Sequence, residues 1–195
     1  MTVHPIEAES YRRLGERVDL SRFGPLVAAV VARVIHASAD LEYAETIVAT
    51  ENDVAAGVAA LRAGAPVVTD VQMVRHGIPG IDARCYLSAP GESAGPAGLT
   101  RSAAGMRAAA ARHPRGAVVV VGCAPTALAE VVRLHAAGDF EPALVVGLPV
   151  GFVGAAEAKQ VLRDSGLPSI SNVGEKGGSA VAAAAANALE RLARP

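Results

Sequence analysis

Three segments of this sequence carry side chains whose types and spacing suit chemistry. The first, Val34-Ile35-His36-Ala37-Ser38-Ala39-Asp40, ends a predicted helix on a histidine. A helix carboxyl terminus and a nearby aspartate both favour the imidazolium, so His36 is a candidate general acid. The second is Leu99-Thr100-Arg101-Ser102, where Arg101 opens a predicted helix. The helix dipole disfavours a cation there by roughly a few tenths of a kcal/mol, a conflict that a bound anion removes and that a solvated surface arginine equally tolerates. The third, Gly174-Glu175-Lys176-Gly177-Gly178-Ser179, joins a flexible backbone, a helix start and a lysine, a combination suited to a carboxylate or phosphate. Ordinary turn-forming glycine fits the same run.

Other chemistries find less support. The glycine run is not a P-loop, because Walker A requires GxxxxGK followed by Ser or Thr. Gly151-Phe152-Val153-Gly154 likewise lacks the first glycine of GxGxxG. No Ser/His/Asp order and no metal-ligand spacing stands out, so hydrolysis and metal-assisted chemistry have no positive sign. Cys85 and Cys123 have neither CxxC spacing nor a nearby His pair, and read as reduced thiols that pack as small hydrophobes. His4, His76, His113 and His135 are less distinctive than His36, although His76 follows Arg75 in a possible site loop. A lone helical histidine more often fills a surface or core than catalyses, and that reading of His36 stays open at this point.

The elements that must position these segments follow from periodicity. From about Thr50 onward, helical patterns alternate with short β-branched runs, the signature of an α/β fold with a mainly parallel sheet flanked by helices. Strand candidates are Ala65 to Val71, Arg84 to Ser88, Ala117 to Val121, Ala143 to Gly147 and Ser169 to Val173. Helix candidates are Arg101 to Arg112, Pro125 to Ala137, Ala155 to Ser165 and an Ala-rich Ser179 to Leu192 that can pack on the sheet or on a second subunit. A further helix contains Val54, Val58 and Leu61, capped by Thr50 or Asn52 and stopped by Gly64. Ahead of these lies a helical N-terminal extension, with one helix from Pro5 to Arg17 and a second capped by Ser21 and running to about His36. In such a sheet, ligands gather beyond the carboxyl ends of the strands. The three chemical segments fall there, together with Thr69-Asp70, Gly122-Cys123-Ala124-Pro125-Thr126 and Gly151-Phe152-Val153-Gly154.

Bulk properties bound the rest. The 195 residues fit one domain, 1–195, with no repeat, linker or boundary. Hydrophobic residues make up 51% but aromatics only 3%, so the core is aliphatic and helices can approach closely. A formal net charge of −1 gives no field to draw the chain onto nucleic acid or an anionic membrane. No stretch reaches the roughly 18 apolar residues of a membrane span, and Met1 to Glu9 lacks the regions of a signal peptide, so a cytoplasmic location is expected.

Taken in order, several stretches together resemble the precorrin-8X methylmutase family across nearly the whole chain. They are Ile6-Glu7-Ala8-Glu9-Ser10, Val34-Ile35-His36-Ala37, Ala63-Gly64-Ala65-Pro66-Val67, Asp70-Val71-Gln72-Met73-Val74, Thr100-Arg101-Ser102-Ala103-Ala104, Ala124-Pro125-Thr126-Ala127-Leu128, Pro149-Val150-Gly151-Phe152-Val153-Gly154-Ala155, and Gly177-Gly178-Ser179. The resemblance implies an isomerase of cobalamin biosynthesis that moves a methyl group from C-11 to C-12 of precorrin-8X, giving hydrogenobyrinic acid; relatives in the anaerobic pathway act on a cobalt-containing substrate. It implies His36 as the acid that protonates the tetrapyrrole, no cofactor and no metal, and a homodimer with active sites near the subunit contact. The substrate is a polycarboxylate, so Arg101 and Lys176 become carboxylate candidates, with Thr100, Ser102, Thr126, Gly177, Gly178 and Ser179 assisting. Two positions depart from the family pattern: Cys123 stands where an asparagine is usual before Ala-Pro-Thr, and Glu175 where an arginine is usual. A carboxylate at position 175 repels an acidic substrate. The alternative these departures raise is a non-catalytic paralogue that binds or carries a corrinoid or another tetrapyrrole. An unrelated nucleotide-binding enzyme is disfavoured by both broken phosphate signatures.

Overall fold

A computed structural model describes residues 4–87 and 98–194. The N-terminal extension is helical, as expected. α1 (Pro5–Arg17) has Pro5 in its first turn, and the His4 side chain accepts from Ile6 N–H. α2 (Pro25–Ser38) begins three residues later than the sequence suggests. Ser21 does not cap it: Ser21 turns back onto the Asp19 carboxylate. The free N–H groups of Leu26 and Val27 go instead to the carboxylate of Glu51, 3.2 and 2.8 Å away, supplied by a different helix. That helix, α4 (Glu51–Arg62), opens on Thr50 with a reciprocal capping box to Asp53. A Cβ at Gly24 would run into the Glu51 side chain, so the glycine admits the borrowed cap.

Between α2 and α4 lie two short elements that periodicity does not reveal, α3 (Tyr43–Thr46) and β1 (Ile47–Val48). Each is shorter than the period needed to recognise it. The remaining elements are β2 (Val67–Thr69), α5 (Gln72–Gly77), β3 (Ala83–Cys85), α6 (Arg101–Arg112), β4 (Val118–Val121), α7 (Pro125–Ala136), β5 (Leu144–Gly147), α8 (Ala155–Asp164), β6 (Ser169–Asn172) and α9 (Ser179–Ala193). Of these only α5 was not expected. The strands are shorter than the apolar runs, which extend past the hydrogen-bonded ladder, and Ser88 of the second strand candidate lies outside the described residues.

The strands form one sheet in the order β1-β6-β5-β4-β2-β3, parallel except where β1 pairs antiparallel with β6. All four residues of β4 and of β5 are buried, because helices cover both faces. On one face α2, α4, α5 and α9 pack together with α1; on the other α6, α7 and α8 form a continuous row. The alanines of α9 serve this interior. Ala182 and Ala185 are fully buried, and Gly122 leaves room for Ala182 and the backbone of Ser179 at the end of β4. No described helix is long and apolar enough to cross a membrane.

Candidate active site

The chain order reverses between β2 and β4. From β2 it passes outward to β3; from β4 it continues through β5 and β6 toward the opposite edge. Such a switch point parts the flanking connections and opens a crevice at the carboxyl ends of the strands. Asp70, just beyond β2, sits there almost fully buried. Its carboxylate accepts from the backbone N–H groups of Gly122, Cys123 and Ala124 at 3.1, 2.8 and 2.9 Å, clamping the β4–α7 turn to β2. Burial raises its pKa against the opposing pull of these donors. Cys123 enters this clamp through its backbone N–H, while partial burial and the Asp70 charge push its thiol above the usual pKa. A thiol in that state is a poor nucleophile.

The starts of α6 and α7 meet beside this clamp. Thr100 caps α6 by accepting from Ala103 N–H, and its hydroxyl lies 2.7 Å from that of Thr126 in the first turn of α7. Arg101 and Ser102 follow in the first turn of α6, both half-buried. Two helix amino termini and a hydroxyl pair are thus gathered at one rim, with Arg101 in the first turn of α6, an arrangement that favours anionic oxygens.

The glycine run crosses the carboxyl ends of β5 and β4. Gly178 N–H donates to Leu148 O at 2.8 Å, and Gly151 N–H to Glu175 O at 3.1 Å, joining the run to the β5–α8 loop. Gly177 is required: with φ at 156°, its missing Cβ would strike the Leu148 and Pro149 carbonyls. Ser179 then starts α9 against Gly122. Lys176 does not offer the open cation that the sequence suggested. Its ammonium lies 2.7 Å from Asp40 and 2.5 Å from Glu42, and these carboxylates raise its pKa. Long-range folding brought two acids onto it that are about 135 positions away in the chain, a pairing with no local signature.

That pair of ion contacts ties the glycine run to the end of α2, where His36 lies in the last helical turn. Its Nδ1 is 2.7 Å from the Ser10 hydroxyl on α1, and its ring stacks on Tyr11 with centroids 4.8 Å apart. Among the described residues Nε2 makes no hydrogen bond. The expected bias toward imidazolium is overturned: burial first, then the Arg33 guanidinium, lower the pKa, while Glu7 pulls it up. Asp40 does not supply the anticipated counter-charge because it faces Lys176. Ser10 and Tyr11 escaped the sequence-based choice of site residues, since a serine and a tyrosine on a helix have no distinctive spacing; Thr69-Asp70 was placed at the crevice, but not its clamp on the β4–α7 turn.

The geometry therefore gives an acid–base side chain, an anion-receptive rim and a glycine run at the edge of a doubly covered sheet. A family model described as precorrin-8X methylmutase matches residues 5–192. The chain belongs to the precorrin-8X methylmutase family. It is 43% identical to a cobalt-precorrin-8 methylmutase of Methanothermobacter thermautotrophicus over 178 residues, 90% of this chain and 85% of that protein. It is 39% identical to a precorrin-8X methylmutase of Sinorhizobium sp over 196 residues, 95% and 93% of the two chains. A crystal structure of a precorrin-8X methylmutase from Thermus thermophilus superposes with a TM-score of 0.88 at 39% identity, covering 96% of this chain and 95% of that one. As a member of the precorrin-8X methylmutase family, the protein is an isomerase of the intramolecular-transferase class with a role in cobalamin biosynthesis.

Proposed function

We propose that the protein moves the methyl group at C-11 of a precorrin-8 macrocycle to C-12, with His36 as the general acid. The observation that carries this reading is the arrangement of His36: a hydroxyl on Nδ1 and an aromatic face fix the ring, leaving Nε2 to meet a ligand. Protonation of a ring nitrogen by Nε2 draws electron density from the conjugated system and lowers the barrier to migration. The Ser10 hydroxyl accepts from Nδ1–H while the imidazolium persists. Substrate and product are isomers, so the proton returns to His36 once the new carbon–carbon bond has formed and the old one has broken.

His36 starts this cycle with a lowered pKa. A polycarboxylate brings negative charge to the site and raises that pKa, so substrate binding itself loads the acid. Arg101 takes a peripheral carboxylate, with the Thr100–Thr126 hydroxyl pair and Ser102 beside it. The backbone N–H of Gly177 and the Ser179 hydroxyl line the other side, with Gly178 held beneath them on Leu148 O, while Lys176 holds their run to Asp40 and Glu42. His36 belongs to the α1–α2–α9 layer and Thr100 to the α6–α7 layer, so a large macrocycle must span both. A homodimer in the cytoplasm, with the second copy closing the site, fits that demand.

Anaerobic incubation with enzymatically prepared precorrin-8X tests the proposal through the absorption spectrum. Conversion to hydrogenobyrinic acid is the expected outcome. Tight binding without conversion would overturn it in favour of a corrinoid carrier; turnover of only the cobalt-containing substrate would restrict it to that macrocycle.

A further inference from the structure

The substrate-facing reading of the glycine run leaves one buried group unused. Lys159, on α8, has no exposed surface. Its ammonium meets two neutral oxygens, Asn172 Oδ1 at 3.0 Å and Lys176 O at 2.6 Å. Among the described residues no carboxylate lies within salt-bridge distance of it. The charges that reach it are Arg163 on its own helix, which disfavours the ammonium, and Glu175 on the glycine run, which favours it; burial outweighs both and lowers its pKa to about 8. A buried ammonium without a counter-ion opposes folding, and an apolar chain of similar length would fill the same space at less cost. Positions that break the rules of burial in this way concentrate at functional sites.

What Lys159 touches indicates its use. The Lys176 carbonyl accepts from both Lys159 Nζ and Asn172 Nδ2, the latter at 3.0 Å. This double anchor fixes the peptide immediately before Gly177, at the point where the chain turns onto the Leu148 and Pro149 carbonyls. Two residues later Gly178 N–H bonds Leu148 O, and Ser179 begins α9. The direction of the Gly177 amide and of the Ser179 hydroxyl is therefore set from beneath by Lys159, while the Lys176 side chain is secured from outside by Asp40 and Glu42.

Building on the proposed function, we infer that Lys159 is a positioning residue for macrocycle binding, holding the 174–179 segment in its carboxylate-receiving form through the Lys176 carbonyl. It touches no substrate. Its loss changes how well the segment is preorganised, hence affinity, and leaves the proton transfer at His36 unaltered.

The test compares wild type with Lys159→Met, an uncharged chain of similar length. Three readouts are needed: kcat and KM with precorrin-8X, the Kd of hydrogenobyrinic acid from spectral titration, and hydrogen exchange of the 174–179 amides in the free protein. Lys159→Met is expected to raise KM and Kd about tenfold, leave kcat within about twofold, and speed exchange at Gly177 and Gly178. A KM and Kd equal to wild type would overturn the inference, as would a loss confined to kcat. Should Lys159→Met fail to fold, Lys159→Gln keeps a shorter amide donor without the charge, and the same split between KM and kcat decides. A wild type that turns over nothing would sink the methylmutase reading instead, so the two failures are distinct.

Discussion

The His36 corner and the Lys159–Lys176 segment stand at the same edge of the molecule and treat charge by different means. At His36, burial and an arginine bias the imidazole toward its neutral form. Around the glycine segment two lysines are driven apart: Lys176 is raised by two carboxylates at the surface, while Lys159 on α8, under the same stretch of backbone, is lowered by burial. The lesson is that a cation counted in a sequence is not yet a cation available to a ligand. Availability depends on which acids the fold delivers to it. In the proposed mechanism one corner exchanges a proton, while in the other the charges hold backbone still.

The sharpest way to break this contrast is His36→Ala. Loss of a general acid should lower kcat by about a hundred- to ten-thousandfold while the Kd of hydrogenobyrinic acid changes little. Wild-type turnover by that variant would remove the proton-exchanging corner altogether.

The next largest effect concerns Lys159. An unfolded lysine keeps its proton up to its ordinary pKa of 10.5, whereas the folded one releases it at about 8. Between those values the unfolded chain binds more protons, so stability rises with pH through the window, by about 3 kcal/mol in all. Denaturant melts from pH 7 to 10 should show that rise in wild type and a flatter profile in Lys159→Met. Parallel profiles would mean that the amine carries no buried charge.

Asp70 tests the frame that both regions share. Asp70→Asn keeps one carbonyl oxygen for three backbone donors, and the N–H groups left without an acceptor should cost about 2 kcal/mol in chemical denaturation. A variant as stable as wild type would show that the turn does not depend on the clamp. Arg101→Ala should then weaken hydrogenobyrinic acid binding about tenfold, the scale of one charge-assisted contact. Unchanged affinity would return Arg101 to the solvated surface. Smallest is Glu175→Arg, which removes an acid from the rim and should tighten binding by roughly threefold, the scale of an exposed pair. No change would mean that the charge at 175 points away from the macrocycle.

Much of the frame was legible before any coordinates. Continuous β-branched runs such as Val118–Val121 read as strands covered on both faces, and Thr50, Gly64 and Pro125 punctuate helices by mechanisms that act within a few residues. The order of the segments around His36, Thr100 and Gly177 was likewise enough to suggest the family. What stayed hidden shares a physical cause. The cap of α2 by Glu51, the acids on Lys176, the Asp70 clamp and the Lys159 anchor all join residues remote in sequence, through single hydrogen bonds that leave no periodic trace.

By itself, then, the sequence determined the α/β architecture, the family and the set of groups from which a site can be built, because propensity, capping and hydrophobic period are local properties. Only the tertiary structure decided the state of those groups. It lowered the pKa of His36, occupied Lys176 and buried Lys159, because desolvation and Coulomb interactions depend on distances that no linear spacing contains.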